Sequence, residues 1–363
     1  MIEEQGEIAT ASKSSELADR STPFIRKEWY VAAMGGEVSR KPISRTILGE
    51  DIVFYRKQDG TAVALQNRCP HRSFPLSLGQ VDGDKIVCGY HGIQFHSDGK
   101  CAFVPSTGTA PGALRIESYP LKEVGPFIWI WMGGSECLDE SLFVDQPYFS
   151  EGWRWVHGYL HMKANYLGLH ENLMDTSHFP FVHGAALAQP EHAEVKQKIY
   201  IDGDAVVLEI LHKRTPIFSQ KLQRIVGGSS EVDRLGYAKV RGPAGNFGHL
   251  KFTNPGNENE FYTDYLLHLI TPESVHSTHY FWALVRNVLT DDEDIQKDIY
   301  QLAKTAFMQD VVALEEVENL LARDHRPSFR EKLIASDVGG VQVLRLLARL
   351  ASEERTGSRA LRS

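Results

Sequence analysis

The stretch "CPHRSFPLSLGQVDGDKIVCGYHG", residues 69–92, contains two short loops that each offer one thiol and one imidazole. Cys69-x-His71 is followed, after sixteen intervening residues, by Cys88-x2-His91. Structural zinc sites take Cys and His in a tetrahedron, but their ligands usually arrive as like pairs, two Cys and then two His or Cys. One Cys and one His in each loop suits instead a two-iron cluster in which two thiolates bind one iron and two imidazoles bind the other. An imidazole is neutral where a thiolate would be charged, so such a cluster is easier to reduce. Gly89 and Gly92, with Pro70 behind the first thiol, let backbone amides face the sulfurs and raise the potential further. Zinc is the alternative for this stretch.

Around these loops, 363 residues of ordinary apolar content allow a sizeable core in two domains. A formal charge of -8 without a long Lys/Arg run argues against nucleic acid or an anionic membrane as the main partner. No run approaches a membrane span, and "FIWIWM", residues 127–132, reads as a buried strand. The first 22 residues lack the apolar core of a secretion signal, so a cytoplasmic protein is expected. Four cysteines, two of them in the paired pattern, fit a reducing compartment and a metal site better than a disulfide framework. Cys101 and Cys137, outside the pattern, read as structural.

Patterning divides the chain. "DIVFYRK" and "TAVALQ" flank Asp59-Gly60, a hairpin signal, and further Asp-Gly pairs begin at 82 and 98, so residues 24–135 read as an antiparallel β domain. From about 150 to 350, helical patterns mix with strand-like runs such as "FYTDYLLHLIT" and "THYFWALVRN". The expected fold class is therefore α+β: an N-terminal antiparallel β domain followed by a mixed catalytic domain, an antiparallel sheet surrounded by helices. Residues 1–23 read as a flexible tail and 351–363 as a polar, frayed one.

A second constellation lies in "NYLGLHENLMDTSHFPFVHG", residues 165–184. Residues five apart in an ideal helix diverge by about 140°. A break at Pro180 would let His178 and His183 reach one metal, and Asp175 sits one helical turn before His178. His157, His161, His170 and His192 read as satisfied core or surface residues. The run 291–322 has helical periodicity with Ile299, Ala303, Ala306, Ala313 and Val317 on one face, and Asp310 falls on that apolar stripe. A buried carboxylate calls for a cation, and two His with one carboxylate make the facial triad that leaves open positions on Fe(II). Glu315, Glu316 and Glu318 read as solvated charges. The chain has no Gly-x-Gly-x-x-Gly fingerprint, so no dinucleotide site is expected in it.

"CPHR" with "CGYHG", and Asp175-x2-His178-x4-His183, resemble the Rieske non-haem iron oxygenases from about Trp29 to the long C-terminal helix. Phe74 and Tyr90 stand where respiratory Rieske proteins carry extra cysteines, and Ile93 where many oxygenases have Trp. "FIRKEWYVAAMGGEVSRKPISRTILGEDIVFYR" and "HLITPESVHSTHYFWALVRN" look like the branch of vanillate O-demethylase, toluenesulfonate methyl-monooxygenase and dicamba O-demethylase. The resemblance implies a Rieske 2Fe-2S cluster on Cys69, His71, Cys88 and His91, and a mononuclear Fe(II) on His178, His183 and Asp310. It implies a head-to-tail homotrimer in which Asp175 links the cluster ligand His91 of one subunit to His178 of the next. A ferredoxin and/or NAD(P)H-dependent reductase would supply electrons.

The implied reaction is O2-dependent O- or N-dealkylation, or methyl hydroxylation, of an aromatic compound, xenobiotics included. His268 matches a substrate-contacting histidine of the branch and His249 a contacting asparagine. No arginine stands out as a carboxylate or sulfonate clamp, which keeps neutral alkylated aromatics beside aromatic acids as substrates. The alternatives are ring hydroxylation of an aromatic or N-heterocycle and, from another class, a non-catalytic electron carrier or zinc protein.

Overall fold

The computed structural model describes residues 17–144, 146, 148–184, 190–217, 219–324 and 331–357. The hairpin signals fall where strands turn. The first ten strands are β1 (Trp29–Met34), β2 (Ile43–Ile47), β3 (Glu50–Arg56), β4 (Ala62–Gln66), β5 (Gln80–Asp82), β6 (Lys85–Val87), β7 (Gln94–Phe95), β8 (Cys101–Phe103), β9 (Leu121–Val124) and β10 (Phe127–Trp131). They form three small sheets, ordered β1-β10-β9, β2-β3-β4 and β5-β6-β7-β8, all antiparallel. Gly60 and Gly99, at φ +87° and +81°, make the β3–β4 and β7–β8 turns in a conformation that a side chain would strain.

The second domain is built on one seven-stranded antiparallel sheet, ordered β11-β17-β16-β15-β14-β13-β12. Its strands are β11 (Arg154–Met162), β12 (Lys198–Asp202), β13 (Ala205–Pro216), β14 (Glu231–Gly242), β15 (Gly245–Asn254), β16 (Asn257–Ser274) and β17 (Ser277–Arg286). The helices are α1 (Tyr166–Leu173), α2 (Phe179–Val182), α3 (Gln220–Ile225), α4 (Glu293–Arg323) and α5 (Val338–Thr356).

Alternation along the central strands sorts their side chains between two cores. Leu267, Leu269, Phe281, Ala283 and Val285 pack against Trp29, Val31, Phe127, Trp129 and Trp131 of the first domain. Ile270, Tyr280 and Trp282 turn the other way, into the core shared with α4 and α5. Burial on both faces is why β16 and β17 read as nearly continuous apolar runs. Polar bonds tie the same seam: the amides of Leu48 and Gly49 donate to the carbonyls of Pro272 and Glu273 at 2.8 Å, and Thr271 Oγ1 donates to Val31 O at 2.8 Å. The result is three layers, with the sheet between the small β domain and the helices.

Helix α4 starts where Asp292 accepts hydrogen bonds from the amides of Asp294 and Ile295. Its buried face holds Ile295, Ile299, Ala303, Ala306, Phe307, Asp310 and Val311, then departs from expectation. Val317 is 49% exposed while Glu318 is 7% exposed, the reverse of the sequence reading. At this end the neighbours of α4 are the N-terminal segment and the start of α1, which cover its Glu318 flank. Arg20 donates to Glu318 at 2.5 and 2.7 Å and the Asn165 amide at 3.2 Å, and His276 Nδ1 lies 2.9 Å away.

The termini differ from expectation too. Residues 1–16 and 358–363 lie outside the described residues. From Leu17 the expected N-terminal tail is held down: Ala18 is buried and its amide donates to Leu344 O at 3.0 Å. Helix α5 runs past residue 351, where the C-terminal tail was expected, because Leu350 and Ala351 join the core. No helix among the described residues is long and apolar enough to cross a membrane.

Candidate active site

The two loops of the 69–92 stretch fold alike. Cys69 N donates to Phe74 O (3.0 Å) and Ser73 N to Cys69 O (2.9 Å); Cys88 N donates to Ile93 O (2.8 Å) and Gly92 N to Cys88 O (3.0 Å). The equivalent residues Ser73 and Gly92 both have positive φ, +59° and +71°, a conformation free for Gly and costly for Ser. Cys69 and Cys88 are each 2% exposed, whereas His71 and His91 are exposed, their ring centroids 4.6 Å apart. Burial pushes the Cys69 thiol up to about 11, with the Cys88 thiol adding to the rise and the His71 and Arg72 amides opposing it. Two adjoining thiols on the inside and two adjoining imidazoles on the outside fit the donor set of a two-iron cluster.

The second constellation forms where two helices meet. Asn165 caps α1 by accepting from Leu167 N at 2.9 Å, and the chain then turns into the four-residue α2. Pro180 does not break this helix. It occupies the first turn, where a missing N–H costs nothing, and His178 and His183 flank the helix as its two caps. Helix α4 brings Asp310 between them, with Oδ1 3.3 Å from Nε2 of each histidine. The ligand atoms of the three residues lie within 4.8 Å of one another.

The local electrostatics favour a metal at this point. Burial alone would push the Asp310 carboxyl up, but the two imidazoles outweigh it and hold the group at about 2. His183 Nδ1 lies 3.0 Å from Gln309 Oε1, so Nδ1–H donates there and Nε2 is the ring nitrogen turned toward Asp310. Asn172 Nδ2 donates to Asp310 Oδ1 at 3.3 Å. His178 Nε2 is buried without an aligned hydrogen bond. Two imidazole nitrogens, one of them orphaned, crowding a carboxylate fit the facial donor set of Fe(II).

A cavity of about 120 Å³ opens from this triad between the sheet and helices α1, α2 and α4. His268 lines it, with its ring 5.1 Å from that of Phe307 and its Nδ1 2.5 Å from the Tyr280 hydroxyl. Burial pushes His268 down to about 4, so it is neutral near pH 7. His249 is not there. Asn246, Gly248 and Leu250 of β15 line the cavity, and the odd positions between them turn to the opposite face, where His249 stacks on Tyr237 at 4.9 Å. The pairing of His249 with a substrate-contacting asparagine is therefore corrected by the parity of the strand.

Asp175 is held by its own chain, accepting from Ser177 N and Gln197 Nε2 at 2.8 Å and from Ser177 Oγ at 2.9 Å. His170 is fully buried and donates from Nε2 to Pro243 O at 3.1 Å. The sequence reading missed Gln309, Asn172, His212 and Arg234. The last two line the cavity, which revises the expectation that no arginine is placed to meet an acid. A signal was available: each occupies an alternating position that is otherwise apolar, His212 after Val206, Leu208 and Ile210, and Arg234 between Val232 and Gly236.

Known proteins share both halves of this arrangement. Residues 28–120 match the family described as Rieske 2Fe-2S domain, and residues 162–353 match the vanillate O-demethylase oxygenase C-terminal domain. A putative toluene-4-sulfonate monooxygenase system iron-sulfur subunit of Comamonas testosteroni is 32% identical over 92% of this chain and 99% of its own. The vanillate O-demethylase oxygenase subunit of Pseudomonas sp. (strain HR199) is 32% identical over 93% and 98%. The fold is similar to the crystal structure of dicamba monooxygenase bound to 3,6 dichlorosalicylic acid, with TM-score 0.84, 28% identity and coverage of 92% of this chain and 99% of that one. Against the same enzyme with non-heme iron and dicamba the TM-score is 0.79.

Proposed function

The chain belongs to the Rieske non-haem iron oxygenases of the vanillate O-demethylase branch, and on that premise we propose that it oxidises a methyl or alkyl group of an aromatic compound. It is an oxygenase whose cofactors are one Rieske 2Fe-2S cluster and one mononuclear non-haem iron. In our reading residues 24–135 carry the cluster on Cys69, His71, Cys88 and His91, and residues 150–350 carry the iron on His178, His183 and Asp310. The observation that carries the proposal is the convergence of His178, His183 and Asp310 at the mouth of a largely apolar cavity of about 120 Å³.

When bound, the two groups supply electron transfer and O2 activation. The chain's own residues do the positioning. Gln309 fixes the tautomer of His183, and Asn172 restrains Asp310. Phe307 and the sheet residues opposite it exclude water, while neutral His268, tethered to Tyr280, keeps its other ring nitrogen for a substrate polar atom. Oxidation of an O- or N-alkyl carbon gives a hemiacetal or hemiaminal that releases an aldehyde. A ferredoxin and/or NAD(P)H-dependent reductase delivers the electrons to a cytoplasmic homotrimer, in which Asp175 joins His91 of one subunit to His178 of the next.

Product mass spectrometry tests this reading. Protein loaded with Fe(II) and supplied with a compatible ferredoxin and reductase is offered aromatic O-alkyl, N-alkyl and methyl compounds. Loss of an alkyl group with release of the matching aldehyde, or hydroxylation of a methyl, is the expected result. Oxygen added only to the ring would overturn it in favour of ring hydroxylation. Asp310→Ala is expected to keep the cluster's visible absorption while losing the mononuclear iron and turnover; unchanged function would return the chain to the electron carriers.

A further inference from the structure

Strand alternation places His212 in the cavity wall. On the lining side of β13 it follows Leu208 and Ile210, and Gly236, Gly248 and Leu250 continue that wall across the sheet. Asn246 of β15 pairs with His268, and Phe252, six residues further along the same strand, pairs with Arg234, the ladder partner of His212. Six residues make at most about 20 Å of strand. His212 and His268 therefore stand at opposite ends of an apolar strip. The triad faces this strip from the helix side. Helix α4 brings Phe307 against His268, and α2 packs on the turn 190–194, whose His192 ring is 4.8 Å from that of His212.

The two ends are not alike. His268 has its Nδ1 committed to the Tyr280 hydroxyl, whereas neither ring nitrogen of His212, which is 2% exposed, has a hydrogen-bond partner among the described residues. A buried polar group left unpaired is destabilising in a way that an apolar side chain of similar size is not. Leu208 and Ile210, on the same face of β13, carry no such penalty. Burial, and then Arg234 and His192 beside it, push His212 down to about 3, so near pH 7 it is uncharged and offers one N–H and one lone pair. With no protein partner to fix its tautomer, the ring can donate to a carbonyl or accept from a hydroxyl. The guanidinium opposite disfavours a cation at this position, and Arg234 has contacts of its own. An uncharged polar group is what suits the ring.

We propose that His212 is a specificity residue for the oxidation, hydrogen-bonding an uncharged hydroxyl or amide that the aromatic substrate carries at the end remote from His268. The proposal rests on the oxygenase reading and adds to it a second polar contact, which orients the substrate along the strip. A compound held by its polar end at His212 extends over the apolar strands with its other end toward the triad and His268. The imidazole finds its partner only when such a compound is bound, so the contact discriminates against analogues that lack the polar group.

Calorimetric titration of the oxygen-free holoprotein and of its His212→Leu and His212→Gln variants tests this without turnover. The probes are two pairs of similar shape: 4-methoxyphenol with 4-methylanisole, and 4-methoxyphenylacetamide with 4-isobutylanisole. At least one polar probe is expected to bind wild type, to lose about tenfold in affinity in His212→Leu and to keep part of it in His212→Gln. Its apolar counterpart is expected to bind His212→Leu as well as wild type or better. Without ligand, His212→Leu is expected to unfold at the same urea midpoint as wild type or a higher one, because it removes an unpaired polar group. Wild-type protein that binds neither polar probe overturns the proposal, as does a His212→Leu protein in which polar and apolar probes change alike. A His212→Leu protein that unfolds earlier than wild type, or does not fold, makes His212 a structural residue and overturns it too. The oxygenase reading fails separately, in the product assay and in Asp310→Ala, whereas this inference fails in binding and stability alone.

Discussion

His170 and His268 show how one residue type is given different work by its surroundings. Both are buried and both are pushed down to about 4, chiefly by burial, yet His170 donates to Pro243 O in the packing of α1 whereas His268 faces the cavity. The depressed value has a definite sign for stability. Between pH 6.5, the ordinary value, and about 4, the unfolded chain takes up a proton that folded His170 refuses, so stability falls as pH falls through that window. His170→Gln keeps a donor without the titration. Its stability deficit against wild type is expected to shrink by on the order of 3 kcal/mol between pH 7 and pH 4, read from urea unfolding at a series of pH values. Parallel curves would show that His170 is not the titrating group. At this scale the two Cys/His loops and the grouping of His178, His183 and Asp310 were legible because Cys, His and buried Asp are scarce and carry chemistry at short spacings. Gln309 and Asn172 were not, because an amide becomes informative only when folding puts it beside a ligand.

Helix α4 marks how far periodicity carries. Its limits, residues 291–322 by pattern and Glu293–Arg323 in the structure, agree because a cap and a stripe are local properties. Its last two turns disagree, because the surface that covers them comes from Arg20 and Asn165, remote in sequence. Replacing Glu318 by Ala is expected to cost about 1–3 kcal/mol, since Arg20 and the Asn165 amide lose their acceptor. Glu316→Ala, on the exposed side, should stay within about 0.5 kcal/mol. Denaturant midpoints of the two variants decide it, and equal losses would restore the solvated reading of Glu318. Strand β15 makes the same point with period two: the parity that puts Asn246 and Gly248 on the cavity side turns His249 away from it.

Across the whole molecule, the aromatic seam between β1, β10 and the central strands joins two domains into one packed body. Cluster absorption and far-ultraviolet circular dichroism are therefore expected to be lost together on heating; two separated transitions would mean that the seam does not couple them. The proposed trimer makes a second prediction. Asp175→Asn should retain both metal centres and a reducible cluster while turnover nearly disappears, measured by iron content, dithionite reduction and product formation. Wild-type turnover in that variant, or in stable monomers, would exclude an electron path through Asp175 between subunits. The chemistry of the two metal sets and the order of the domains could be read directly from the chain, because each depends on scarce residues a few positions apart or on patterns within one strand or helix. That His249 faces away from the cavity, that Glu318 is buried, and that the face carrying Arg234 lines the cavity were decided by tertiary structure, since the side a residue presents acquires meaning only from the surface that packs against it.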